Sequence, residues 1–262
     1  MVGQENFIDN FKLRYSLSNL PHSVILLGDY GSGHVDVCRE ISEHYGLDFY
    51  DITGMINTNY INLIATNNVL SMYVINLSET SEKEQNVLLK VFEEPNPYTY
   101  IYLYGESMFN VLETIATRSI IMNLDKYSRE YLKGLILKED YIDLILETCK
   151  TPGQIETANY TDIKSIVTLC KNMIEKIGVA NFANTLTISD KINFNGEVEK
   201  FDLRFFLDLL LYFAFDSNRY DMYDIISRHR QKISYMNDKK SYFEHMLIEL
   251  WKNERYQLVG NN

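Results

Sequence analysis

Ser23-Val-Ile-Leu-Leu-Gly28-Asp-Tyr-Gly-Ser-Gly33-His34-Val35 is the stretch on which the reading of the fold turns. The run from Val24 to Leu27 is short and continuously apolar, as a strand buried on both faces requires. A glycine-rich turn follows at once, and Val35 to Tyr45 then places Val37 and Ile41 on one helical face, with Gly46 at the C-cap. Strand, glycine turn and helix form the first half of a βαβ unit. Downstream, strands are expected at 48–52, 72–77, 98–104 and 118–124, with a short helix near 59–65 and a longer one at 82–93. Thr80 or Ser81 can cap that longer helix, which stops ahead of Pro95. Alternating strands and helices predict an α/β three-layer sandwich over residues 1–125.

Past Asp125 the strand signal vanishes. Helices are expected at 128–137 and 141–149. Thr151-Pro152-Gly153 breaks the chain before a third helical element, and the sequence then reads as helical to its end, with amphipathic segments at 163–177, 203–215, 221–236 and 241–251. The expected organisation is an α/β domain at 1–125, a small helical domain at 126–160 and an all-α domain at 161–262.

The 262 residues are 46% apolar and 23% charged, an ordinary balance for a globular protein. The formal charge of −11 disfavours a chain whose main task is gripping phosphate backbone, and points to protein partners or to neighbours that supply positive charge. Cys38, Cys149 and Cys170 are widely spaced with no CxxC pair, which excludes a four-thiolate zinc module and suits a reducing compartment. His22 and His34 are too isolated to imply a metal, so no metal site is expected. The N-terminus has neither signal-peptide nor transit-peptide character. The most apolar run, 205–215, contains Asp208 and is too short for a bilayer. A cytoplasmic protein with no membrane association is the expectation.

The spacing Gly28-x-x-x-x-Gly33 is that of the Walker A phosphate loop, in which Gly28, Gly31, Ser32, Gly33 and His34 are the candidate cofactor-binding residues. Its glycines let backbone N–H groups converge on phosphate, and the helix N-terminus adds partial positive charge. The chemistry, however, needs a lysine and a magnesium-ligating hydroxyl after the last glycine, and His34 and Val35 stand there instead. The strand tip that would carry an acidic pair reads Ile75-Asn76-Leu77-Ser78, with no acid before Glu79. Both halves of an ATPase site are degraded together. No cofactor is firmly implied, and ATP remains open only at the surviving loop.

Several stretches, in order, resemble bacterial clamp-loader subunits of the AAA+ family. Val2-Gly3-Gln4-Glu5 resembles their "VGQE" box, which lies near the adenine in nucleotide-binding relatives. Leu20-Pro21-His22-Ser23 through Gly28 resembles the "LPHALLLxGP" approach to the phosphate loop. Gln85 to Pro95 resembles the "QNALLKTLEEP" helix of gamma and delta-prime subunits. Thr114-Ile115-Ala116-Thr117-Arg118-Ser119 is similar to "TIRSRC", the arginine-finger segment, and Thr151-Pro152-Gly153 to the lid domain's "SPG" turn. The family's Cys-rich zinc insertion is absent, and of the finger motif's Ser-Arg-Cys only the arginine is intact, as in a divergent or phage-encoded relative.

The resemblance implies a DNA polymerase III delta-prime-like subunit whose α/β domain is followed by a lid and a collar. It implies ATPase subunits as partners in a hetero-pentamer, which loads a sliding clamp on primer-template DNA, and it makes Arg118 the candidate catalytic residue, offered in trans to ATP bound by a neighbour. Two alternatives stand beside this: a divergent AAA+ ATPase working through His34 and Glu79, and a stand-alone adaptor that kept the fold. Glu93-Glu94 reads as a structural helix end, not an acid–base pair.

Overall fold

The computed structural model describes residues 3–177, 185–194, 200–236 and 238–260, with side chains to residue 255. The chain divides into two compact units: Met1–Tyr131 with Thr151–Gly153, and Leu132–Lys150 with Gln154–Asn262.

The first unit is a five-stranded sheet of β1 (Ser23–Leu27), β2 (Asp48–Asp51), β3 (Ser71–Asn76), β4 (Thr99–Gly105) and β5 (Ile120–Asn123), ordered β2-β3-β4-β1-β5. Every pairing is parallel. Strand alternation divides the core in two. Val24, Leu26, Met72, Val74, Tyr100 and Tyr102 pack with α1 (Glu5–Arg14) and α2 (His34–Tyr45) through Ile8, Phe11, Val37 and Ile41. Ile25, Tyr73, Ile75, Ile101 and Leu103 pack with α3 (Thr58–Ala65), α4 (Glu82–Glu93) and α5 (Glu113–Ala116) through Ile61, Ile64, Leu88, Val91 and Ile115. Because side chains on successive strand residues face opposite ways, a sheet covered on both faces needs continuously apolar strands. The expected parallel α/β architecture is therefore present.

Local signals explain several boundaries. Ser81 and Glu84 form a reciprocal capping box at the start of α4, with the Ser81 hydroxyl accepting from the Glu84 N–H at 3.3 Å and the Ser81 N–H donating to the Glu84 carboxylate at 2.8 Å. Such a cap contributes about 1 kcal/mol. Gly46 ends α2 in the left-handed conformation at φ 67°.

The second unit contains α6 (Arg129–Gly134) in part, α7 (Ile142–Thr148), α8 (Pro152–Tyr160) from Gln154 onward, α9 (Ile163–Lys176), α10 (Leu203–Asp216), α11 (Tyr220–Ile233) and α12 (Lys239–Gly260). Helix α10 buries Leu203, Phe205, Phe206, Leu207, Leu209, Leu210, Phe213 and Ala214, which cover more than half of its circumference, and it packs against α7, α9 and α11. Asp208, the acid within the apolar run, is paired with Arg230 at 2.8 Å. No described helix is long and apolar enough to cross a membrane.

Two expectations need correction. The second half is not wholly helical: β6 (Ile192–Asn193) and β7 (Phe201–Asp202) form a two-residue parallel pair, too short to give a period-2 signal. Arg118 does not begin the last strand, which starts at Ile120; it lies in the turn after α5, where its N–H bonds the Ile115 carbonyl.

Candidate functional site: a glycine-rich loop and an exposed arginine

In parallel α/β sheets ligands gather beyond the carboxyl ends of the strands, and the candidate loop leaves β1 at that edge. Gly31 and Gly33 adopt left-handed φ values of 81° and 78°, and Gly33 is the N-cap of α2. The Gly28 N–H reaches the Gly105 carbonyl at the end of β4 at 3.1 Å, and Ser32 closes a turn onto the Asp29 carbonyl at 3.1 Å. The backbone thus has the tight glycine turn that a phosphate cradle requires.

His34 does not serve that cradle. Its side chain turns inward and is buried, stacked on Tyr104 at 5.4 Å between ring centroids and so close to Gly28 that a Cβ there would meet Nε2 at 3.1 Å. Nε2 has no hydrogen-bond partner among the described residues. Burial in this aromatic setting pushes the imidazole down to about 4, against a smaller opposing pull from the Glu106 carboxylate. At neutral pH the position where the motif needs a lysine holds an uncharged ring. Tyr104 is correspondingly raised to about 12 by burial.

The loop is also held from outside by its carbonyl oxygens. The Thr151 hydroxyl donates to the Tyr30 carbonyl at 2.7 Å, the Gly153 N–H to the Gly31 carbonyl at 3.2 Å, and the Tyr127 hydroxyl to the Ser32 carbonyl at 2.9 Å. Gly153 approaches so closely that a Cβ on it would lie 2.7 Å from the Gly31 Cα. Three successive loop carbonyls are therefore fixed by residues more than ninety positions downstream. The Thr-Pro-Gly turn carried no sequence signal for this contact beyond the glycine itself, and Tyr127 carried none.

The N-terminal box closes the same region. Gln4 is fully buried and pairs with the Asp125 backbone, its amide donating to the carbonyl at 2.9 Å and its oxygen accepting from the N–H at 3.1 Å. Gly3, at φ 104°, lies where a Cβ would collide with the Tyr127 ring, which itself stacks on Tyr131. Val2, the first residue of the box, lies outside the described residues.

Asn76, at the tip of β3, is engaged within the protein. Its oxygen accepts from the Ser78 N–H at 3.0 Å and hydroxyl at 2.7 Å, and its amide donates to Glu79 at 2.9 Å. Asn76 thus caps the Leu77–Glu79 turn.

Arg118 stands in a separate, well-braced segment. Gln85 is buried, donating to the Asn110 carbonyl at 2.8 Å and accepting from the Leu112 N–H at 3.0 Å, so the α4 helix holds the loop leading into α5. Ile115 is fully buried, and Ser119 meets Ser23 at 2.6 Å. On this base the Arg118 side chain is 40% exposed, with Nη1 donating to the Thr114 carbonyl at 2.9 Å and Nη2 at 3.6 Å from Glu93. Glu93 thus acts as a surface counter-ion, while α4 and the arginine segment are joined by Gln85. The "QN" of the sequence motif marked the helix but not this task.

Comparison with known proteins agrees with part of the sequence reading. Residues 57–128 match the family model described as DNA polymerase III, delta subunit. No curated protein matches the chain. Among solved structures, a RuvB mutant of Thermotoga maritima is similar with a TM-score of 0.51 and 14% identity, over 82% of this chain and 90% of its own. A DNA polymerase III gamma-subunit-related protein of Thermotoga maritima gives a TM-score of 0.46 at 14% identity, over 97% and 100%. The RuvB Holliday junction branch migration motor of that organism gives 0.46 at 14%, over 87% and 77%. The first likeness shows a fold shared with RuvB, and the family match bears out the clamp-loader-like resemblance in the segment from α3 through Arg118.

Proposed function

We propose that this chain is a delta-prime-like clamp-loader subunit that hydrolyses no ATP itself and presents Arg118 to ATP bound by a neighbouring ATPase subunit. One contrast carries this reading: His34 is buried and its loop is tied down, while Arg118 is braced from below and exposed. A guanidinium supplied in trans stabilises charge developing on the transferring phosphoryl group, an effect worth 10³–10⁵ in rate in GTPases. Residues 126–160 would serve as lid and 161–262 as collar in a cytoplasmic hetero-pentamer that loads a sliding clamp on primed DNA. The −11 charge suits contacts with protein more than with phosphate backbone.

The reading as a divergent ATPase is poorly supported, since His34 is turned inward and Glu79 is bonded to Asn76. Co-purification from the native source, followed by ATPase assay, tests the proposal. Recovery of an ATPase partner whose turnover falls on Arg118→Ala is expected. Magnesium-dependent hydrolysis by the isolated chain, abolished by His34→Ala, would refute it.

A further inference from the structure

The second unit contains a side-chain cluster that the phosphate loop and Arg118 leave unused. Helices α11 and α12 run antiparallel, with Asp221 meeting Asn253 at 2.6 Å and His229 meeting Glu249 at 2.9 Å. One turn before Glu249 on α12 stands His245, four residues away and hence on the same helical face. One ligand-type atom from each of His229, His245 and Glu249 lies within 4.8 Å of the others.

We propose that His229, His245 and Glu249 bind a divalent ion of the zinc class, clamping α11 to α12. Two imidazoles and one carboxylate are a ligand set suited to zinc, with the fourth position left to water. Ligand atoms at about 2.0–2.2 Å from zinc lie roughly 3.3 Å apart in a tetrahedral site, so atoms within 4.8 Å of one another have at most about 1.5 Å to close.

Three features favour a site over an ordinary hydrogen-bonded histidine. His229 is buried and turns Nε2 onto Glu249 Oε2 at 2.9 Å, so two of the three ligand atoms already lie at a spacing a bound ion can bridge. Arg228 holds the other Glu249 oxygen at 2.7 Å, which orients the carboxylate and leaves Oε2 facing the histidines, in the manner of an outer-shell partner. The cluster is graded from buried His229 to exposed His245, which gives an ion a way in. The sequence hides all this, because His229 is sixteen residues from His245 and the pairing exists only once the helices are antiparallel. This inference is independent of the role assigned to Arg118.

The test uses the untagged full chain, stripped of metal and titrated with Zn²⁺ alone, then with Co²⁺ as a spectroscopic probe. One equivalent should bind and raise the unfolding temperature, and Co²⁺ should give the visible absorption of a tetrahedral site. His245→Ala, at an exposed position, and Glu249→Gln, which preserves shape, should each weaken Zn²⁺ binding by at least about tenfold. Absence of stoichiometric Zn²⁺ binding would overturn the proposal, as would binding that His245→Ala leaves unchanged.

Discussion

His34 shows how a single buried side chain couples to solution conditions. Its folded value, about 4, lies below the ordinary imidazole value, so the unfolded chain takes up a proton more readily than the folded one. The neutral ring therefore gives its full contribution above about pH 6.5, and that contribution is lost as pH falls toward 4, by up to about 1.4 kcal/mol per unit. His34→Gln should flatten this dependence, losing about 2 kcal/mol less than wild type between pH 7 and pH 5 in urea unfolding. A second residue-scale effect is steric. Gly153→Ala places a Cβ 2.7 Å from the Gly31 Cα, where only backbone can give way. A destabilisation of about 2 kcal/mol is expected by denaturant midpoint.

Between elements, buried polar side chains fasten α4 to the α4–α5 connection and α10 to α11. Gln85→Leu keeps the volume of α4's inner face but strands the Asn110 carbonyl and the Leu112 N–H. Each unsatisfied group costs about 1–3 kcal/mol, so calorimetry should record a loss of about 3 kcal/mol, together with greater hydrogen exchange at residues 110–119. In the second unit, Asp208 and Arg230 are 17% and 13% exposed. Removing one partner of such a pair leaves a largely buried charge, and Asp208→Ala should cost about 3 kcal/mol.

At the scale of the whole molecule, stability and function should separate at Arg118. Its contact with Glu93 is an exposed pair at 3.6 Å, a class of interaction worth 0–1 kcal/mol. Arg118→Ala should therefore leave the unfolding midpoint of the isolated chain within about 0.5 kcal/mol of wild type while slowing ATP turnover in the reconstituted assembly. A comparable fall in both would mark the arginine as structural.

Most of the α/β architecture was legible in residue order alone. The apolar runs at Val24–Leu27 and Met72–Ile75, the cap at Thr80 or Ser81, and Gly46 each act within a few residues, so periodicity and caps reveal them. That His34 and Val35 directly follow the glycine turn was legible for the same reason, since spacing alone fixes their positions. The two-residue pair β6 and β7 was not, because two residues carry no period. Nor could the sequence say where the His34 ring goes, that Thr151, Gly153 and Tyr127 tie down the loop, or that His229 meets Glu249 beside His245. Those contacts join residues sixteen to more than a hundred and twenty positions apart, and their partners are chosen by packing, which acts only after the chain has closed on itself.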